Sequence, residues 1–203
     1  MVPYLVAALI GYLLGCSSMA LYIGKLKKVD IRNHGSGNLG ASNAMMLMGW
    51  GAGVITALHD IGKAVLAVWL CGRLFPAAPY VGLVAGVGAV LGHNFPFYLR
   101  FKGGKGLAAF WGMTLMIDWK FALAVALGIT LITLITDYIF LGTVAAAIAV
   151  PIFTYLTMGG TAAAIVSVAS VCIIARHKDN FIRLKNGTEK GFRRANSGKE
   201  RIK

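Results

Sequence analysis

Phe101-Lys102-Gly103-Gly104-Lys105-Gly106 is a polar loop between two long apolar stretches of the chain. Glycine allows backbone N–H groups to approach an anion, and lysine adds positive charge at the same place. The apolar stretch after Gly106 is predicted to be a helix, whose amino-terminal dipole adds to this field. The loop lacks the GxxxxGK[ST] frame of a nucleotide-binding P-loop. We therefore predict an anion site here, and a basic turn lying against anionic lipid is the alternative.

The composition is that of an integral membrane protein. Of the 203 residues, 58% are hydrophobic and 13% are charged, whereas soluble domains have about 25% charged residues. Several uncharged runs reach about 20 residues, which is enough to cross the hydrocarbon core as a helix. The net charge of +13 would suggest nucleic acid binding in a soluble chain, but the positive-inside rule explains it better here. We predict an all-α fold with no nucleic-acid partner.

Seven transmembrane helices are predicted from the apolar runs. They cover residues 3–24, 50–74, 80–98, 107–117, 121–136, 138–157 and 161–175. The fourth is short for a full span, so we expect it to be tilted or set back into the protein. Residues 1–190 are predicted to form a single membrane domain, and residues 191–203 a basic, flexible tail.

The distribution of positive charge predicts the orientation of the bundle. Most of the 20 Lys and Arg residues lie in residues 25–32, 100–105 and 176–203, which the seven helices place on one side of the membrane. Positively charged loops remain in the cytoplasm. The N-terminus is therefore predicted to lie outside and the C-terminus inside, with the active site at the cytoplasmic face.

Gly35-Ser36-Gly37-Asn38-Leu39-Gly40 is a second glycine-rich loop and spells GxGxxG. Dinucleotide binding through this pattern needs a preceding strand, whereas membrane helices are predicted on both sides of this loop. Ser36 and Asn38 add side-chain donors to a glycine-rich backbone near a helix start. We favour a phosphate-contacting loop over a plain polar turn.

Further polar residues lie on two predicted helix faces. His177, Asn180 and Arg183 recur every three residues where the last helix leaves the membrane, and an interfacial anchor is the alternative to a binding site. Asp60 and Lys63 share a face of the second helix, where they either pair to lower the cost of burial or mark a functional site. The four histidines are too dispersed for a metal site, so no metal is predicted.

The available side chains limit the chemistry. The sequence has no serine nucleophile elbow, no catalytic cysteine with a nearby base and no paired carboxylates. It offers cations and hydrogen-bond donors at the mouth of a bundle that can hold an acyl chain. This set suits transfer between phosphorylated substrates, in which positioning and charge stabilisation supply the rate.

Three segments of the chain resemble the motifs of the membrane-bound acyl-phosphate:glycerol-3-phosphate acyltransferase family, the PlsY type. The first motif corresponds to residues 30–43, the second to residues 92–106 and the third to residues 177–189. The second begins with Gly92-His93-Asn94-Phe95-Pro96, and the third contains Asn186-Gly187-Thr188-Glu189. Three ordered motifs on one side of a helical bundle are a specific signal.

The resemblance implies an enzyme that transfers an acyl group from acyl phosphate to glycerol 3-phosphate, giving lysophosphatidic acid and phosphate in phospholipid synthesis. It implies a multi-pass protein of the bacterial inner membrane, in contact with membrane lipid, with no cofactor and no obligate protein partner. The mechanism is expected to be substrate-assisted, without a protein general base.

The resemblance also implies roles for individual residues. The expected catalytic residues are Ser36, Lys105, His177 and Asn180. The expected substrate-binding residues are Gly37, Asn38, Asn43, His93, Gly103, Gly104, Gly106 and Thr143. Lys105 and the glycines of its loop would hold phosphate, while Ser36, Asn38 and Asn43 would orient the substrates.

The chain departs from the family pattern at a few positions. Met46 replaces a phosphate-binding arginine, Phe140 replaces one of two serines, and Asp137 replaces a basic residue. Charge-assisted contacts of the kind that the arginine makes contribute about 1.5–3 kcal/mol. A divergent paralogue that uses another acceptor, or a non-catalytic lipid- or phosphate-binding membrane protein, is therefore the alternative.

Overall fold

The computed structural model describes residues 1–195, and the regular secondary structure in that range is entirely helical. The helices are α1 (Val2–Cys16), α2 (Met19–Leu26), α3 (Ala41–Met48), α4 (Trp50–Leu74), α5 (Val81–Asn94), α6 (Leu107–Ile117), α7 (Trp119–Thr136), α8 (Ile139–Met158), α9 (Gly160–Arg176), α10 (Lys178–Lys185) and α11 (Phe192–Ala195), with a 3-10 turn at Phe97–Leu99. The predicted all-α fold is confirmed. The flexible tail was predicted for residues 191–203, of which 196–203 lie outside the described residues, so that boundary stays a prediction.

Six stretches of the described chain are long and apolar enough to cross a membrane. They are Val2–Leu26, Trp50–Leu74, Val81–Leu99, Trp119–Thr136, Ile139–Met158 and Gly160–Lys185. The predicted fourth span, α6, has 11 residues and is therefore about 16 Å long, about half the thickness of the hydrocarbon core. A seventh full span and the orientation in the membrane remain predictions.

Small residues hold α1 and α5 together at the centre of the bundle. A Cβ at Gly11 or Gly15 of α1 would overlap the backbone of Ala85 or Ala89 in α5. Glycine and alanine allow two membrane helices to approach this closely, and close packing is the main attraction between helices in lipid. The α1–α5 contact fixes the position of His93 and Asn94, which end α5.

The first predicted helix, residues 3–24, is interrupted in the structure, so the prediction of one continuous helix was wrong. Ser17 and Ser18 have extended backbone angles between α1 and α2. The carbonyl groups freed by this break accept hydrogen bonds from distant side chains: Tyr98 Oη donates to Cys16 O at 2.6 Å and Lys63 Nζ to Ser17 O at 2.8 Å. Irregular backbone at membrane depth is tolerated where protein groups satisfy it in this way.

Two further boundaries differ from the predictions. Helix α3 lies in a stretch to which no helix was assigned, between the glycine loop and α4, and several of its residues are buried. The third predicted helix, residues 80–98, ends as α5 at Asn94, and Phe97–Leu99 forms a 3-10 turn. Pro96 explains the early end, because proline disfavours the helical conformation of the residue before it.

Candidate active site

A cavity of about 530 Å³ lies where the two glycine loops and the start of α10 meet. The predicted site residues that line it are Ser36, Asn38, Asn43, His93, Lys105, Gly106, Thr143, His177 and Asn180. Gly37, Gly103 and Gly104 do not line it. Segments that are far apart in sequence therefore meet at one end of the bundle, as the topology predicted.

Four polar side chains form a continuous chain along one wall of the cavity. Lys105 Nζ donates a hydrogen bond to Asn180 Oδ1. Asn180 Nδ2 donates to Glu189 Oε1 at 2.5 Å, and Arg183 Nε is 2.6 Å from Glu189 Oε2. Glu189 therefore fixes the carboxamide of Asn180 with its oxygen towards Lys105. This leaves the remaining N–H groups of the Lys105 ammonium available for an anion in the cavity.

The surroundings of Lys105 make its ammonium group easier to deprotonate. Burial, together with the positive charges of Arg183 and Arg176, lowers the pKa of Lys105 to about 8, and Glu189 partly opposes this shift. Removal from water disfavours the charged form of an amine, and nearby cations act in the same direction. A bound phosphate would reverse the effect by supplying the missing negative charge.

The opening of α6 faces the same cavity. Gly106, which precedes the helix with φ of +88°, lines the cavity together with Leu107 and Ala108 of the first turn. First-turn N–H groups of a helix have no acceptor within the helix and favour an anion there. Lys105 and these amides provide positive potential from two directions.

The predicted phosphate contacts of Gly103 and Gly104 do not agree with the structure. Their N–H groups donate to Asn94 O and His93 O, both at 3.0 Å, so neither is directed at the cavity. Their carbonyl groups accept from Arg176, with Gly103 O 2.9 Å from Nη2. The two glycines therefore allow the loop to pack tightly against the end of α5, and we assign them a structural role.

Asn43 also has a structural role, although it lines the cavity. Its Nδ2 lies within hydrogen-bond distance of three backbone oxygens, those of Ile31, His34 and Asn38, and its Oδ1 accepts from Ser36 N at 3.0 Å. The buried carboxamide thus holds the first glycine loop in its conformation. Ser36 itself is exposed, which leaves its hydroxyl near the entrance of the cavity.

His177 is held in one orientation at the start of α10. Its Nδ1 lies 2.8 Å from Ile173 O, so Nδ1–H donates there and Nε2 is the acceptor of the neutral ring. The ring of Phe140 stacks against it, with the planes 18° apart. Thr143 donates its hydroxyl to Ile139 O of its own helix at 3.1 Å. Phe140 and Thr143 therefore give this wall an apolar character.

The C-terminal wall of the cavity, residues 188–192, is attached to the turn between α7 and α8. Thr188, Glu189, Lys190 and Phe192 line the cavity. Asp137, with φ of +68°, accepts from Phe192 N–H through its carbonyl at 2.7 Å and from Arg193 N–H through Oδ1 at 3.0 Å. Asp137 thus fixes the position of residues 188–192 relative to α7 and α8.

Sequence reasoning omitted Asp60, Glu189 and Met46 from the predicted site residues, and all three line the cavity. Asp60 was noticed in the sequence as a possible partner of Lys63, and Glu189 lies in the third motif, but the sequence did not show that either side chain faces the cavity. Among the described residues, no cluster of three His, Cys, Asp or Glu side chains has metal-binding geometry.

The geometry agrees with comparisons to known proteins. A family model described as glycerol-3-phosphate acyltransferase matches residues 5–187. This chain belongs to the glycerol-3-phosphate acyltransferase family. Glycerol-3-phosphate acyltransferase 1 of Oceanobacillus iheyensis is 37% identical over 190 residues, covering 89% of this chain and 91% of the relative. A glycerol-3-phosphate acyltransferase of Synechococcus is 39% identical over 184 residues, covering 89% and 90%.

Two crystal structures of PlsY (YgiH), an integral membrane glycerol 3-phosphate acyltransferase, share the fold. The glycerol 3-phosphate form has a TM-score of 0.86 and is 33% identical, covering 93% of this chain and 95% of the PlsY chain. The lysophosphatidic acid form has a TM-score of 0.84 and is 31% identical, covering 95% and 97%. This member of the acyltransferase family is thus a multi-pass membrane protein, as the six apolar spans among its described residues indicate.

Proposed function

We propose that this acyltransferase-family member transfers an acyl group from an acyl phosphate to glycerol 3-phosphate, giving lysophosphatidic acid and inorganic phosphate. The observation that carries the proposal is the cavity in which Lys105, the start of α6 and the Asn180–Glu189 pair surround space for a phosphate. Its volume of about 530 Å³ lies within the range of small-ligand sites, about 300–1,000 Å³.

The lining of the cavity contains both polar and apolar side chains. Lys105 and Asn180 are among the polar lining residues, and Met45, Met46 and Phe140 are among the apolar ones. A polar group such as phosphate can contact the first set, and the first methylenes of an acyl chain can contact the second. An acyl phosphate has both parts, so this lining suits it as a substrate.

The reaction needs positioning and charge stabilisation. The substrate hydroxyl oxygen bonds to the acyl carbonyl carbon, the carbon–oxygen bond to phosphate breaks, and a phosphate oxygen takes the hydroxyl proton. Lys105 and the first-turn amides of α6 stabilise the negative charge that develops on the leaving phosphate. His177 Nε2 is oriented as an acceptor, and it aligns glycerol 3-phosphate by accepting from the hydroxyl that does not attack.

We further propose that the cavity opens to the cytoplasm of a bacterial inner membrane. The support is the positive-inside rule, because basic residues are concentrated in the segments that form this end of the bundle. Glycerol 3-phosphate is charged and water-soluble, so an opening at the membrane surface also suits it as a substrate.

Incubation of the purified protein with palmitoyl phosphate and glycerol 3-phosphate tests the proposal. We expect equal amounts of inorganic phosphate and lysophosphatidic acid. Release of phosphate with a different acylated product would instead assign another acceptor. If neither product rises above the level without protein, the proposed activity is wrong.

The pH dependence of this activity should depend on the protonation of Lys105. The ammonium form binds phosphate, and its pKa is about 8, so kcat/KM should be highest below pH 8 and fall as pH rises through that value. An unperturbed lysine keeps its charge to about pH 10.4. Rates measured from pH 6 to 10 check this, and in Lys105→Arg the decrease should disappear because arginine stays charged. A native profile that is flat to pH 10 would rule out this assignment.

Met46→Arg should lower the apparent KM for glycerol 3-phosphate. Met46 is buried, lines the cavity and approaches Gly35, so an arginine there would add a bidentate phosphate donor beside the first glycine loop. We expect a decrease of about tenfold, as one added charge-assisted contact provides. Met46→Leu is the control for a change of shape alone, and an equal KM in the two variants would show that this position does not face the acceptor.

A further inference from the structure

Asp60 and Lys63 form an ion pair inside α4 that the proposed reaction does not use. Asp60 is 1% exposed and Lys63 is 6% exposed, with Oδ1 and Nζ 2.7 Å apart. Burial of two charges is costly, and a buried pair seldom stabilises a fold more than apolar residues of the same size would. The pair therefore calls for a role other than stability.

The ammonium of Lys63 contacts three protein groups. It donates hydrogen bonds to Ser17 O at 2.8 Å and His93 Nδ1 at 2.9 Å. Its ion pair places Nζ 2.7 Å from Asp60 Oδ1, which also lies 3.3 Å from His93 Nδ1. The Ser17 carbonyl is available only because the chain is broken between α1 and α2. Since His93 Nδ1 accepts from Lys63, the proton of the neutral ring lies on Nε2.

His93 then holds the loop that carries Lys105. Its Nε2 side faces Gly104 so closely that a Cβ at position 104 would overlap the ring. Its backbone oxygen accepts from Gly104 N–H at 3.0 Å. Both the ring and the backbone of His93 thus fix Gly104, which is the residue before Lys105.

We propose that Asp60 and Lys63 are positioning residues, which lock the His93 ring against Gly104 and thereby place the Lys105 ammonium at the cavity. The kinetic consequence of this inference rests on the proposed function, whereas the structural one does not. His93 lines the cavity but has both ring nitrogens directed at protein groups, so it supports the Lys105 loop and is not a base.

A simpler role for the pair is mutual neutralisation, and a double variant separates the two. Asp60→Asn/Lys63→Met removes both charges together, leaves no unpaired ion and removes the donor to His93. If neutralisation is the whole role, the double variant behaves like the native protein. If the pair positions the loop, the double variant has a loose loop in a folded protein. Thr56→Val is the matched control, because Thr56 is a buried polar residue of the same helix that bonds only to Ala52 O.

Hydrogen–deuterium exchange of the peptide that contains residues 102–106 provides a measurement independent of activity. We expect the Gly104 amide to exchange at least about tenfold faster in the double variant, because a contact to a charged group is lost. The α1–α5 contact and the Thr56→Val variant should exchange as in the native protein. Native exchange in this peptide, or faster exchange throughout the protein, would overturn the proposal.

Kinetics supply the second measurement. We expect kcat/KM for glycerol 3-phosphate to fall about 10²-fold in the double variant, as expected for a small misplacement of a reacting group. The fall in rate near pH 8 should move to higher pH, because a looser Lys105 is better solvated. If the native protein is active and the double variant is equally active, the positioning role is refuted and the proposed function stands. If the native protein is inactive, the proposed function is refuted, and the exchange experiment still tests the positioning role.

Discussion

Lys105→Ala is expected to lower kcat/KM for glycerol 3-phosphate by about 10³-fold, the upper end of the loss for a single donor to a developing oxyanion. Lys105 is the cation that faces both the α6 start and Asn180. Its removal leaves the leaving phosphate without an ammonium donor beside the first-turn amides of α6. The measurement is initial rate against the concentration of each substrate, with palmitoyl phosphate as the acyl donor.

The loop contains its own control for this experiment. Lys102 lies three residues earlier, is exposed and does not line the cavity. Lys102→Ala makes the same chemical change and lowers the local positive charge equally, so it should alter the rate by less than about threefold, as a screened surface charge does. Similar losses of kcat/KM in the two variants would show that only the total positive charge of the loop matters, and that Lys105 does not contact the reacting phosphate.

Asn180→Ala should produce the second largest loss, about 10²-fold in kcat/KM, which is at the lower end of the loss for one stabilising donor. Asn180 accepts from Lys105 and donates to Glu189 at 2.5 Å. Without its carboxamide the ammonium has no fixed acceptor, and Glu189 is able to approach Lys105 directly and compete with phosphate. We therefore expect a higher KM for glycerol 3-phosphate as well as a lower kcat.

Asn186→Ala is the matched control for Asn180→Ala, because Asn186 ends the same helix but is exposed. It should leave both constants within about twofold, since surface substitutions away from special features change little. A thermal unfolding curve for each variant separates loss of the site from loss of the fold. Unchanged kinetics in Asn180→Ala would mean that Lys105 acts without a hydrogen-bond partner. That result would contradict the role given to the hydrogen-bonded chain from Lys105 through Asn180 to Glu189.

The sequence was sufficient to predict which segments meet, since helix count and charge placed the loops around Lys105, Ser36 and His177 together. It was not sufficient to predict backbone detail that depends on distant partners. The break between α1 and α2 is stabilised by distant donors: Lys63 donates to Ser17 O, 46 residues away in sequence, and Tyr98 to Cys16 O, 82 residues away. Serine pairs occur within helices as well, so the local pattern does not reveal the break.

The roles of individual residues were likewise predictable where residue type and topology decide them, and not where a distant backbone acceptor does. Lys105 and Asn180 were expected in the site from their types and topology, and the structure brings them into contact. Gly103 and Gly104 have the composition of an anion-binding loop, but the carbonyls of His93 and Asn94 already occupy their amides. A glycine that permits close packing and one that contacts a phosphate look alike in sequence, and only the location of the acceptor distinguishes them.

The C-terminal wall has a consequence for the synthesis of the protein. Residues 188–192 complete the cavity and supply Glu189, while Asp137 holds them in place. A ribosome makes these residues after the six apolar spans found in residues 1–195, so those helices can enter the membrane and pack while the pocket still lacks one side. The nascent protein therefore becomes able to hold its substrates only after these residues have been made. A message that ends before the codon for Thr188 would yield an inserted bundle with an open, inactive pocket.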